Sequence, residues 1–140
     1  EGNMQIIVFT LKEKYYAIPT EDVEEIVKEM PHTHVPKAPS WVEGLINIRG
    51  NAITLINLYK LLSNTSETEE LCYNSIIILK NNDKKVAFAV DSVEAVSEID
   101  SNDVQMTDYA NAKEVAGIIR LNNKMISLIS MEALFSINEG

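Results

Sequence analysis

Short runs rich in Ile and Val, four to eight residues long and set apart by polar turns, recur along the whole chain. Met4–Leu11, Tyr15–Ile18, Val23–Val27, Leu45–Ile48 and Ile53–Leu58 fit strands in the first part. Ser75–Lys80, Val86–Val90, Val93–Val96, Val115–Leu121 and Lys124–Ile129 follow in the second. β-branched side chains suit a pleated, half-buried surface and lose rotamer freedom in a helix, so runs of this length read as strands. Leu58–Leu62 and Met131–Phe135 fit single helical turns, and residues 19–22 fit a third. Gly is scarce, with five residues in 140, so the tight turns fall to Asn and Asp at Asn81-Asn82-Asp83 and Asn122-Asn123, whose short polar side chains tolerate positive φ. Gly50-Asn51 is expected to turn the hairpin between its flanking strands. The pattern is all-β, and such close strand spacing favours a barrel or a sandwich.

An internal repeat underlies the runs. A shift of 70 brings Ile6, Ile7, Val8 and Phe9 onto Ile76, Ile77, Ile78 and Leu79, and Ala17, Val23 and Glu24 onto Ala87, Val93 and Glu94. After a three-residue slip the shift is 73. Val42, Gly44, Ile46, Ile53, Leu55 and Leu61 then meet Val115, Gly117, Ile119, Ile126, Leu128 and Leu134. Aliphatic matches come cheaply in such a chain; the aligned Gly pair and the order strand, turn, strand, short helix do not. The expected organisation is one domain over 1–140, with a first repeat at about 4–62, an exposed loop at 63–70 and a second repeat at about 73–135. Each half is marginal alone, so the two are expected to pack together.

Composition removes several function classes. The 21 acidic and 12 basic side chains leave a net charge of −9, which opposes attraction to nucleic acid and to anionic membranes. No apolar run approaches the roughly 18 residues of a membrane span. The lone Cys72 excludes an internal disulfide and a Cys-rich zinc site, suits a reducing cytoplasm, and reads as a buried or inert thiol.

Catalytic constellations fail one by one. His32 and His34 form an H-x-H pair without an evident third ligand, in a loop between Pro31 and Pro36. Asp100–Asn111 resembles a calcium loop, yet Gln105 and Asn111 stand where an EF-hand needs Gly and Glu. Asp91-Ser92 lacks the flanking Gly of an aspartic-protease motif, and phosphate-binding and nucleophile-elbow motifs are missing. No enzyme, metal or cofactor is expected.

What remains is the asymmetry between repeats. Arg49 falls opposite Asn122 and Arg120 opposite Asn47. A planar, permanent cation beside a Gly turn suits bidentate capture of a carboxylate, or else a local ion pair. Glu21–Glu29 interleaves five acids with Val23, Ile26 and Val27, as a half-buried strand with a solvated face or as a strand exposed to a partner.

FTLKEKYYAIPTEDVEEIVK, VPKAPSWVEGLINIRG and VAFAVDSVEAV together resemble the CheW family of chemotaxis coupling proteins, from about Ile6 to Phe135. Pro39–Gly50 is the most specific stretch. The resemblance implies two SH3-like β-barrel subdomains and a cytoplasmic, non-enzymatic adaptor. Its partners would be the cytoplasmic tip of methyl-accepting chemoreceptors and the regulatory domain of the CheA histidine kinase, with the membrane reached only through receptors. By the same resemblance Arg49, Val23 and Glu25 would face the receptor, while Gly44 and Gly50 would serve backbone geometry. Two departures stand out: Asn57 and Ser130 occupy positions where the family often has Asp, and Asn is expected to cap the turn equally well. The alternatives are a CheA regulatory domain or the coupling half of a CheV-type protein, which would continue into further domains, whereas this chain stops soon after the last repeat element. From another class, a small duplicated barrel binding a ligand or metal through His32 and His34 also stays open.

Overall fold

A computed structural model describes residues 2–63, 72–80, 85–106 and 114–137. Residues 64–70 of the expected loop, the turn Asn81-Asn82-Asp83 and the end of the calcium-like segment lie outside these residues. The elements run β1 (Asn3–Leu11), β2 (Lys14–Pro19), a 3-10 turn (Thr20–Asp22), β3 (Val23–Lys28), β4 (Val42–Ile48), β5 (Asn51–Asn57) and α1 (Leu58–Ser63). After these come β6 (Ser75–Leu79), β7 (Val86–Val90), β8 (Ser92–Asp100), a 3-10 turn (Ser101–Asp103), β9 (Val104–Gln105), β10 (Val115–Leu121), β11 (Lys124–Ile129) and α2 (Met131–Ile137). The fold is all-β with short helices, as the Ile/Val runs require. Two details differ from the sequence expectation. β8 runs on to Asp100, its alternation hidden by exposed Glu94, Ala95 and Val96, and the two-residue β9 is too short to leave a pattern.

The chain forms two compact units, residues 21–92 and residues 1–20 with 93–140, and neither is a sequence half. One sheet has the order β8-β1-β2-β11-β10-β9 and the other β3-β6-β7-β5-β4. The first hairpin of each repeat is thus built into the sheet of the other. In each case the exchanged hairpin joins its host through a parallel pair. Leu55 lies opposite Ala87 where β5 meets β7, and Leu128 opposite Ala17 where β11 meets β2. A two-residue turn cannot connect parallel neighbours, so such a pair must be closed from distant sequence.

Each unit has its own apolar cluster. Ile46, Ile53, Leu55, Ile76, Ile78 and Ala87 fill one. Ile119, Ile126, Leu128, Ile6, Val8 and Ala17, the same positions displaced by 73 or 70, fill the other. Burying each such aliphatic side chain is worth about 1.5–3 kcal/mol. β6 and β7 are buried along nearly their whole length, which is why Ile76–Leu79 and Ala87–Val90 read as unbroken apolar runs.

Among the described residues three hairpins turn on two central residues of positive φ: Lys12-Glu13, Arg49-Gly50 and Asn122-Asn123. This is the type I′ geometry whose twist matches the strands. The β4–β5 turn therefore sits one residue earlier than expected, because Asn51 already pairs with Ile48.

Candidate functional site

Arg49 occupies the first central position of its turn with φ of 50°, a left-handed conformation that costs a non-Gly residue about 1–2 kcal/mol. The equivalent Asn122 holds φ of 52° with the short side chain such a position favours. Gly50 follows at φ of 86°, and its N–H donates to Asn47 Oδ1 at 3.0 Å. The turn therefore carries a long cation where the fold alone would favour Asn.

That cation has a partner at the opposite edge of its sheet. Arg49 Nη2 donates to Glu25 Oε1 at 2.5 Å and Nη1 to Glu25 Oε2 at 3.2 Å, a bidentate fork between the β4–β5 turn and β3. β3 and β4 are the terminal strands of the sheet order, so the pair spans the sheet's two edges. A bulge between Val23 and Glu25 sets Glu25 opposite Ile78, on the side of β3 that faces the unit's apolar cluster. A carboxylate turned that way is favoured by a fixed counter-charge. Hydrogen bonds from Arg49 hold the Glu25 carboxyl below its ordinary value, and those same bonds raise the Arg49 guanidinium. The pair stays wet, with 65 % of the Arg49 side chain and 32 % of Glu25 exposed, so it orients more than it stabilises. Val23, two residues before Glu25, is half-buried at the start of β3. The structure thus brings together Arg49 and Glu25, with Val23 on the same strand.

Gly44 lies at the β4 bulge beside the isolated bridge between Thr33 and Leu45. A Cβ there would stand 2.4 Å from the Thr33 carbonyl oxygen and 2.8 Å from His32 Cδ2, so the glycine lets the 32–33 segment approach. Gly117 does the same for β9, where a Cβ would meet Val104 Cγ1 at 2.6 Å.

A second polar arrangement escaped the sequence. Tyr73 Oη lies 3.3 Å from His32 Nδ1, and His32 Nε2 lies 4.0 Å from Glu43 Oε2. Glu43 Oε1 in turn accepts from Asn57 Nδ2 at 2.9 Å. Asn57, 1 % exposed, also caps α1 by accepting from the Lys60 N–H at 3.0 Å. Burial raises the Tyr73 hydroxyl above its ordinary value, with Glu29 and Glu43 adding to the effect. The signal lay in the repeat: Ala116 and Ser130 stand at the positions of Glu43 and Asn57, so this chain of contacts belongs to one unit alone.

The other expectations resolve simply. Among the described residues no group of three or more His, Cys, Asp or Glu side chains is placed to hold a metal ion. Asp100 and Asp103 of the calcium-like segment close a capping box on the Ser101–Asp103 turn, with contacts of 2.9 and 3.1 Å. Cys72 is exposed rather than buried, since it precedes β6 instead of lying in it. Among the described residues no helix is long and apolar enough to cross a membrane.

Two small all-β units that exchange hairpins, one of them carrying a bidentate Arg–Glu pair, define a duplicated β-barrel domain. The sequence matches the CheW-like domain family over residues 5–139, and the chain belongs to that family. It is 27 % identical over 141 residues to the chemotaxis protein CheW of Thermotoga maritima, covering 97 % of this chain and 92 % of that one. It is 30 % identical over 146 residues to the chemotaxis protein CheW of Treponema pallidum, covering 99 % and 86 %. The crystal structure of the scaffolding protein TtCheW from Thermoanaerobacter tengcongensis superposes with a TM-score of 0.84 at 31 % identity, covering 100 % of this chain and 92 % of that one.

Proposed function

We propose that this chain is a non-enzymatic chemotaxis adaptor in the cytoplasm. It would couple methyl-accepting chemoreceptors to the CheA histidine kinase by holding both at once. Family membership and the names of the relatives support the adaptor role. The observation that carries the site is the Arg49–Glu25 fork, held at a turn position where the fold alone favours Asn. Val23, Glu25 and Arg49 form the receptor-facing surface, and Gly44 and Gly50 keep the backbone geometry that presents it. Partly exposed charges of this kind fix the register of a docking partner more than they add affinity. Coupling then arises because one protein, held by both partners, ties receptor state to kinase state.

The test is a pull-down and kinase assay with a receptor cytoplasmic fragment and the kinase. Wild type is expected to recruit both. Arg49→Ala is expected to keep its circular dichroism spectrum and lose receptor-dependent kinase activation. Failure of the wild type to bind either partner would overturn the assignment.

A further inference from the structure

A chain with 21 acidic and 12 basic side chains gathers four of the basic ones at one end of one sheet. β2 and β11 run parallel with Tyr15 opposite Ile126, so the Lys12-Glu13 and Asn122-Asn123 turns emerge at the same end. Arg120 pairs with Met125 across β10 and β11. Lys14 precedes Tyr15 as Met125 precedes Ile126, which sets it beside Met125 on β2. Arg120, Met125 and Lys14 thus form a row across three neighbouring strands. All three are exposed, Met125 by 57 %. Lys124 Nζ sits 4.6 Å from the centre of the Tyr15 ring, and Lys12 lies in the adjoining turn. A groove of about 350 Å³ runs along Arg120, Asn122, Asn123, Lys124 and Met125. In the repeat alignment Asn47, Asn51 and Ala52 hold the places of Arg120, Lys124 and Met125, while Lys84 holds that of Lys14, so the second cation and the apolar centre of the row belong to β10 and β11 alone.

We infer that this end of the β10–β11 and β1–β2 hairpins docks an acidic amphipathic helix of a protein partner. The spacing selects the occupant. Arg120 and Lys14 are two strands apart, about 9.6 Å. Carboxylates at i and i+7 of a helix are about 10.5 Å apart. An apolar residue at i+3 or i+4 of that helix falls on Met125, whose flexible thioether adapts to its shape. The net charge of −9 repels anionic lipid and nucleic acid as whole surfaces, while a single acidic helix meets the local balance, Lys12, Lys14, Arg120 and Lys124 against Glu13. This surface shares no residue with the proposed receptor-facing one.

The probe is a labelled Ala-rich helical peptide with Glu at i and i+7 and Leu at i+3, titrated by fluorescence anisotropy. Wild type is expected to bind saturably and to weaken as salt is raised. Lys14→Glu/Arg120→Glu is expected to lose about tenfold or more in affinity. Met125→Ala should weaken binding by about threefold, as a lost methylene-scale contact does. Lys37→Glu, in the other unit, should bind as wild type, and so should Arg49→Ala. If the double variant is misfolded by circular dichroism, Lys14→Gln/Arg120→Gln replaces it with the same expectation. The inference is overturned if wild type fails to bind or if a composition-matched scrambled peptide binds equally. Patch-dependent binding to phosphatidylglycerol vesicles without peptide binding would overturn it too, as would a patch-dependent dimer without peptide binding.

Discussion

Asn57 shows how a single side chain settles a local question. It caps α1 as expected, but its amide nitrogen also donates to Glu43. An Asp would cap equally well and set two carboxylates against each other. Asn57→Asp is therefore expected to lower stability at neutral pH by about 1–3 kcal/mol, in urea unfolding, with Glu43→Gln restoring most of it. Arg49 separates geometry from charge in a similar way. Arg49→Asn keeps a residue that tolerates left-handed φ, so the denaturant midpoint should hold or rise while the proposed receptor coupling, read in the kinase assay, should be lost. Glu25 reports the pair by its titration. With Arg49 present its carboxyl lies below its ordinary value, so the pair's contribution is complete above the ordinary value and disappears as pH falls through the depressed one. In Arg49→Ala the Glu25 titration, followed by NMR, should move up toward the ordinary value. The sequence marked both residues; that Glu25 faces Arg49 follows from the β3 bulge and from edges that lie apart in the chain.

At the scale of elements, hairpins carry the local logic. Asn122-Asn123 was legible as a turn from its side chains alone, whereas Arg49-Gly50 was displaced by one residue because Arg is an unexpected occupant of its first position. Each repeat also folds a bridging segment against a bulged strand over a glycine, at Thr33 with Gly44 and at β9 with Gly117. Gly44→Ala is expected to cost about 1–3 kcal/mol by overpacking against the Thr33 carbonyl, measured as a lower urea midpoint with unchanged slope. β9 and the Thr33 bridge were not legible. Their pairing is one or two residues long, and no periodicity accumulates over so short a stretch.

For the whole molecule, the exchange of hairpins makes each sheet depend on both repeats. Fragments 1–63 and 72–140 are therefore expected to be largely unfolded apart, by circular dichroism, and to regain strand structure when mixed. Independent folding of either would contradict the strand orders. The sequence by itself determined the all-β class, nearly every strand, three helical turns and the offset of 70 to 73, because alternation, β-branching and turn chemistry act over a few residues. It also marked Arg49 as a break in the repeat. Only the tertiary structure decided which hairpin joins which sheet. The two hairpins offer nearly the same inward side chains, Ile6, Val8 and Ala17 against Ile76, Ile78 and Ala87, so either cluster accepts either one. Near-equivalent partners leave the choice to chain connectivity and long-range pairing, and neither is written in a local pattern.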